Sequence, residues 1–367
     1  MINKSIIEKN VRISIVATGG GAGAQNMLWQ IPGISSVLID CTFPYDSEFT
    51  KDYLGFEPEK YCSPETAVEL AMQAYYRAYQ PNNAPSIGVG CTASVASTVI
   101  HKGQHRIYIA SASENGCELT SIVLTKGRGE EARIIDGKIC DIAIIEALNK
   151  AIGYNDQSIL PKDLNIISYQ VEDATELAKK QFFKHPYFCA DTGKRLEKEQ
   201  KLNRDNGDAI FPGSFNPPHD GHFGMVESYC YYKPNASIIY CIETQSPHKG
   251  DLTITDMLNR AKMLKGNNIL FTKGLGLYLD KAKHFDKANI IIGIDSFIRL
   301  LDGKWGVGIK ELIEGFKSCG THFYVVDRVI DGKLVSIKDQ TFETNGLNFT
   351  PLDGRWDISS TELRNIK

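Results

Sequence analysis

Two α/β domains, each built on a parallel sheet crossed by helices, are what this chain predicts. Three observations carry that prediction. The 367 residues are enough for two domains at about 150 residues each. Apolar runs of strand length alternate with helix-length segments, an order that builds parallel sheets with helical crossovers. The alternation comes in two blocks, parted by a polar stretch over 154–206. The expected division is therefore a domain over 1–153, a linker over 154–206 and a second domain over 207–367.

The first block opens with a strand over Arg12–Ala17 that runs into the turn Thr18-Gly19-Gly20-Gly21-Ala22-Gly23. A short strand follows at Val37–Asp40. Ser63 is a capping residue and Pro64 suits the first helical position, so a helix runs from there to about Tyr79, before Pro81. Apolar strands read at Ser86–Gly90, Arg106–Ala112 and Leu119–Leu124, and a long helix over Gly129–Ala151 closes the block. The linker carries one short helix near Thr175–Phe183. In the second block a strand from Asp208 enters Pro212-Gly213-Ser214-Phe215-Asn216-Pro217-Pro218-His219. A helix over Asp220–Tyr232 follows, then strand Ser237–Ile242, helix Thr253–Leu264, strand Ile269–Thr272, a helix to His284 and strand Asn289–Ile294.

Composition excludes several classes. With 42% hydrophobic and 23% charged residues the chain is no disordered polymer. A net charge of −3 argues against a general nucleic-acid binder, which needs a basic excess to neutralise phosphates. No apolar run approaches the ~18 residues of a membrane span, and the N-terminal residues lack the apolar core of a signal peptide. Nine scattered cysteines without a C-x-x-C pair read as reduced thiols in a cytoplasmic protein.

The most specific signal is Gly213-Ser214-Phe215-Asn216-Pro217-Pro218-His219-Asp220-Gly221-His222. A strand ends in glycine, so backbone amides can approach a phosphate. The first histidine sits in the turn and the second in the first helical turn, so both point at the helix N-terminus, where amides and dipole favour an anion. No Gly-x-x-x-x-Gly-Lys-Ser/Thr occurs, so this is not a Walker P-loop. At the far end, Ile358-Ser359-Ser360-Thr361-Glu362-Leu363-Arg364 starts another short helix. Its hydroxyls and amides make a second anion site, and Arg364 adds a forked donor.

These motifs resemble the nucleotidyltransferase superfamily of the His-x-Gly-His and Ile-Ser-Ser-Thr-x-x-Arg type, whose domain is Rossmann-like. Two further segments are similar to the nicotinate/nicotinamide mononucleotide adenylyltransferases: Ser246-Pro247-His248-Lys249, and Gly293-Ile294-Asp295 followed by Lys304-Trp305. The resemblance covers about residues 208–367. It implies catalytic roles for His219, His222, Lys249 and Arg364. It implies ATP binding by Gly213, Ser214, Phe215, His222, Gly293, Asp295, Ser359, Ser360, Thr361 and Arg364, and mononucleotide binding by Asn216, Lys249 and Trp305. In that family the tryptophan stacks on the pyridine ring. A mononucleotide phosphate, its second pKa about 6, attacks the α-phosphorus of ATP directly and expels pyrophosphate. The protein aligns the two and neutralises charge. Mg²⁺ enters with ATP, since no carboxylate cluster suggests an all-protein metal cage.

In the first block, Gly19-Gly20-Gly21-Ala22-Gly23-Ala24 with Asp40 mimics a dinucleotide-binding fingerprint. Residues 11–151 are instead more similar to the CinA C-terminal-domain family, the nicotinamide-mononucleotide deamidases. Thr18-Gly19-Gly20, Pro32-Gly33-Ile34-Ser35-Ser36-Val37, Tyr45, the helix from Pro64 and strand Ile107–Ala110 carry that likeness. The family's Glu-Ser-Cys-Thr-Gly-Gly reads Ile15-Val16-Ala17-Thr18-Gly19-Gly20 here, and valine in the serine's place cannot attack an amide. Its later Thr-Gly-x-Ala-Gly-Pro turn reads Val89-Gly90-Cys91-Thr92-Ala93-Ser94. The likeness implies a catalytically inactive domain, kept as a binding, regulatory or oligomerising module, whose glycine turn still offers a seat for a phosphate. The expected whole is an adenylyltransferase of NAD biosynthesis that takes ATP and a pyridine mononucleotide, with self-association through the first domain. A nucleotidyltransferase for another phosphorylated acceptor and a non-catalytic pyridine-nucleotide sensor stand as alternatives.

Overall fold

The computed structural model describes residues 6–81, 83–99, 102–154, 157–196, 202–246, 250–301, 308–330, 333–339 and 346–356, with Ser360 and Leu363. The chain falls into two compact units. The first comprises Met1–His185, Thr192–Glu197 and Thr253–Lys262, and the second Pro186–Asp191, Lys198–Leu252 and Met263–Lys367.

The first unit contains β1 (Arg12–Thr18), α1 (Gly23–Trp29), β2 (Leu38–Thr42), α2 (Ser47–Leu54), α3 (Pro64–Ala78), β3 (Ser86–Ser94), β4 (Arg106–Ser113), β5 (Gly116–Val123), α4 (Gly129–Ala151), β6 (Asn165–Ser168) and α5 (Val171–Phe182). Its sheet runs β2-β1-β3-β4-β5-β6. Only β1 with β2 and β1 with β3 pair in parallel; the other neighbours are antiparallel. This corrects the all-parallel expectation for the block. Only Glu114 and Asn115 separate β4 from β5, whereas a parallel crossover needs about a dozen residues or more.

α3 starts as its sequence says, with the Ser63 hydroxyl accepting from the Thr66 amide at 3.2 Å and Pro64 in the first turn. It then lies directly on a glycine stripe of β3. A Cβ on Gly88 or Gly90 would run into the backbone of α3 at Tyr75 and Ala71. On the same unit, Ile13, Ile15, Val89, Ile107, Ile144 and Leu148 belong to one buried cluster. A cavity of about 690 Å³ in this unit is walled by Ile109, Ile122, Ile145 and Ile166 and holds none of the expected site residues.

The polar stretch 154–206 is not a plain linker. β6 pairs with β5, and α5 spans Val171–Phe182 with Ala174, Ala178 and Phe182 buried. Arg195 is buried too, its guanidinium 2.8 Å from the Glu69 carboxylate and donating to the Phe182 carbonyl at 3.1 Å. Polar composition hides this, because much of the segment's side-chain surface is exposed while its buried positions are few.

The second unit contains β7 (Tyr187–Cys189), β8 (Ala209–Pro212), α6 (Asp220–Tyr232), β9 (Ile238–Glu243), β10 (Gln245–Ser246) and β11 (Gly250–Asp251). After α7 (Ile254–Met263), most of which counts with the first unit, come β12 (Asn268–Thr272), α8 (Tyr278–Phe285), β13 (Asn289–Gly293), α9 (Ile294–Leu301), α10 (Ile309–Ser318), β14 (His322–Ile330), β15 (Lys333–Val335) and β16 (Asn348–Arg355). The sheet order is β15-β14-β13-β8-β9-β12-β7, with β16 also on β14. β12, β9, β8, β13, β14 and β16 are mutually parallel where they pair. Numbered by their place in the chain, they run third, second, first, fourth, fifth, sixth, the doubly wound order. β7 and β15 are antiparallel additions.

No described helix is long and apolar enough to cross a membrane. All nine cysteines are free thiols, and burial pushes those of Cys117 and Cys241 up to about 12.

Candidate functional site

In a doubly wound sheet the chain leaves the first strand to one side and the fourth to the other. The crevice between their carboxyl ends is where such sheets receive ligands. Here those strands are β8 and β13, paired in parallel at Asn289↔Ala209 and Ile290↔Ile210. β8 feeds Gly213–His219 and β13 feeds Gly293-Ile294-Asp295, so both predicted segments leave from this one crevice.

His219 is the N-cap of α6, and His222 lies in its first turn. Their rings stand 3.7 Å apart, centroid to centroid. The His219 amide donates to Nδ1 of His222 at 3.2 Å. That bond assigns the lone pair to Nδ1 and leaves the proton of the neutral ring on Nε2. Burial, then the neighbouring His219 and Arg328, pushes the pKa of His222 down to about 3. At neutral pH His222 is therefore an uncharged donor, held from below by Phe215 at 4.9 Å and Phe211 at 5.9 Å.

Phe215 has its ring fully buried among Phe211, Tyr240 and His222. Its side chain supports the histidine, so any contact it makes with a nucleotide is through its backbone. Gly213 is required by the same packing, since a Cβ there would lie 2.6 Å from the Phe215 ring. Ser214 is exposed and Asn216 half-buried beside it.

The far motif reaches the near one. Ser360 Oγ donates to the Pro217 carbonyl at 2.8 Å. Trp356, just upstream, packs on α6: a Cβ on Gly221 would meet Trp356 Cβ and the His219 ring, both at 3.0 Å, and a Cβ on Gly224 would collide with the indole. Asp353 secures the same approach, its carbonyl accepting from Ser228 Oγ at 2.6 Å and its carboxylate from the Tyr232 hydroxyl at 2.7 Å. Lys249, Trp305, Ser359, Thr361 and Arg364 lie outside the described residues. β10 and β11, which flank residues 247–249, pair antiparallel with Ser246 opposite Gly250.

Several side chains here carry no motif that the sequence alone would single out. The Asp295 carboxylate faces two guanidiniums, Arg299 at 3.1 Å and Arg328 at 3.4 Å. Glu243, closing β9, accepts from the amides of Gly274 and Leu275 at 3.1 Å each and from Thr272 Oγ1 at 2.8 Å. Buried Lys281 donates to the Leu275 carbonyl from the other side. Together they fix the loop that leaves β12. The usable signal is a charged residue in a strand just after its apolar run, as in Glu243 after Ile242 and Asp327-Arg328 after Val326.

Residues 210–366 match the cytidylyltransferase-like family. The C-terminal region is thus a cytidylyltransferase-like domain of the nucleotidyltransferase superfamily, and the histidine pair, the glycine turn and Ser360 fall inside the matched span. Among solved structures, the N-terminal part resembles CinA proteins. The competence/damage inducible protein CihA from Agrobacterium tumefaciens is 18% identical, over 41% of this chain and 90% of that one, with a TM-score of 0.31. A CinA superfamily protein from Klebsiella pneumoniae is 11% identical, over 41% and 91%, with a TM-score of 0.32. One from Escherichia coli is 12% identical, over 41% and 83%, with a TM-score of 0.30. No curated protein matches the chain.

The first unit's own candidates are closed. The Asp141 carboxylate stands against the opening of α1, where a Cβ on Gly23 would collide with its Oδ2, so an internal anion already fills the seat expected for a phosphate. Asp40 is paired with Arg77 at 2.6 Å rather than standing ready for a ribose. Val16 is buried in a cluster with Tyr53, Leu54, Phe56, Leu70 and Ala74. Cys91 is fully buried, and burial holds its thiol well above the ordinary range.

Proposed function

We propose that the protein is an ATP-dependent adenylyltransferase that couples AMP to nicotinate or nicotinamide mononucleotide and releases pyrophosphate. The observation that carries this reading is the Ser360–Pro217 bond. It joins the loop after β8 to the segment after β16, which supports the two motifs acting on one extended polyphosphate. The cytidylyltransferase-like match supports nucleotidyl transfer. The choice of a pyridine mononucleotide rests on the Pro247-His248-Lys249 and Gly293-Ile294-Asp295…Trp305 segments.

In this mechanism the acceptor phosphate attacks in line and needs no protein nucleophile. His222 presents Nε2–H, a neutral donor, to oxygens that gain charge as the bond to pyrophosphate breaks. His219 caps α6 and holds the tautomer of His222 through its amide. The amides opening α6 and the hydroxyls around Ser360 offer donors suited to phosphate, and Lys249 and Arg364 supply positive charge. In this reading Mg²⁺ enters on the triphosphate, as it commonly binds through substrate phosphates. The first unit serves as an inactive deamidase-like module that self-associates, and the protein works in the cytoplasm.

The family match also favours a second donor, CTP. One assay separates the readings: pyrophosphate release by the full chain with ATP or CTP against pyridine mononucleotides, other mononucleotides and phosphopantetheine. Release with ATP and a pyridine mononucleotide is expected. Release only with CTP, or only with phosphopantetheine, replaces the proposal, and no release with any pair leaves a binding protein.

A further inference from the structure

Arg328 lies in β14, past the point where its partner β13 ends at Gly293 beside the crevice. β13 and β14 pair in register from Asn289↔His322 to Gly293↔Val326, and two positions past the end of that pairing Arg328 lies opposite Val335 of β15. Its positive charge is felt at His222, and its guanidinium lies 3.4 Å from the Asp295 carboxylate. That is long for a charge-assisted hydrogen bond, which settles at about 2.7–2.9 Å. Asp295 has a nearer partner in Arg299, at 3.1 Å and one turn along α9. One carboxylate thus serves two guanidiniums. If Arg328 leaves Asp295, Arg299 still neutralises the carboxylate, so the exchange orphans no charge.

We propose that Arg328 is a phosphate-binding residue for the nucleoside triphosphate, trading its contact with Asp295 for a forked contact with the outer phosphate oxygens. A planar guanidinium suits two phosphate oxygens at once, which an ammonium does not. The inference rests on the nucleotidyltransferase reading and adds to it the group that holds the pyrophosphate part of the substrate.

The test is calorimetric titration of the full chain with inorganic pyrophosphate, Mg-ATP, Mg-CTP and nicotinate or nicotinamide mononucleotide at fixed ionic strength. Arg328→Ala is expected to weaken pyrophosphate and Mg-ATP binding by about tenfold or more, the scale of a lost charged hydrogen bond, and Arg328→Lys to recover part of the loss. Affinity for the pyridine mononucleotide is expected to stay within about twofold, its phosphate being bound elsewhere. Thermal unfolding of each variant checks the fold, and Arg328→Gln serves if the alanine variant fails to fold. Wild type that binds pyrophosphate with an affinity unchanged by these substitutions overturns the role of Arg328 alone. So does a loss confined to the mononucleotide. Wild type that binds neither ATP, CTP nor pyrophosphate overturns the nucleotidyltransferase reading with it.

Discussion

Ser360 and Pro217, 143 positions apart in the chain, are joined by a hydroxyl-to-carbonyl hydrogen bond of 2.8 Å. The bond ties the loop after β8, the first strand of the crevice, to Ser360 beyond β16. Ser360→Ala removes one hydrogen bond, worth about 1 kcal/mol of stability. Its effect on turnover should be larger, up to ~100-fold, because a small misplacement of an aligned group can cost that much. Comparing the thermal midpoint with kcat/KM separates the two. Equal, small effects on both would reduce the bond to a local fastening.

His222 gives a pH test. Its folded pKa of about 3 lies below the ordinary value of about 6.5, so between those limits the unfolded chain binds the extra proton. The stability it contributes is complete above pH ~6.5 and is lost as pH falls toward 3. Urea midpoints measured from pH 7 to pH 4 should therefore decline, and His222→Gln should flatten the slope. His322, whose pKa burial also lowers, keeps a residual slope in the variant.

Turnover gives the companion result. His222→Ala should remove most of kcat while leaving a folded protein, since the ring acts on charge that develops in the transition state. A neutral donor also predicts no acid limb near pH 6.5 from this histidine. A kcat profile that collapses on protonation of a group in that range, and loses this feature in His222→Gln, would contradict the neutral assignment.

Gly224→Ala tests the packing beneath the far motif. The added methyl meets the Trp356 indole, an overpacking that costs about 1–3 kcal/mol. A shifted tryptophan emission with reduced turnover is the expected pair of observations. An unchanged spectrum and rate would mean that Trp356 does not position Ser360.

The first unit should be silent in deamidation. The full chain is expected to release no ammonia from nicotinamide mononucleotide, and Val16→Ser should not change that, because the new hydroxyl would sit among Tyr53, Phe56 and Leu70. Ammonia release that survives Thr18→Val but disappears on Cys91→Ala or Ser94→Ala would show a relocated nucleophile.

Strongly patterned elements are legible in the amino-acid sequence. The helices at Pro64, Gly129 and Asp220 start where their sequence places them, because a cap, a glycine or a defined turn marks each. α2 is not legible in this way, although Asp46 caps it through the Glu48 amide at 2.8 Å and Gly55 ends it in a left-handed conformation. Eight residues with few apolar positions give no period to read. The antiparallel half of the first sheet stays hidden because strand sequences do not state their direction. At the site, motif alone finds the histidines and glycines. It does not find Arg328 and Glu243, since their meaning depends on which strands become neighbours. The closing of the glycine turn by Asp141 depends in the same way on how α4 lies against α1.

Thr253–Lys262 lies between two stretches of the second unit yet packs with the first. Asn259 accepts from the Tyr75 hydroxyl at 3.0 Å, and Lys262 donates to the Tyr76 carbonyl at 3.1 Å. β7, from the stretch expected to be a linker, is meanwhile a strand of the second sheet. No single cut in the polypeptide can then release either unit whole. A gene split anywhere between residues 154 and 206 yields one product short of a helix or a strand, so expressing the halves separately would report on the damage done by the cut rather than on the activity of each half.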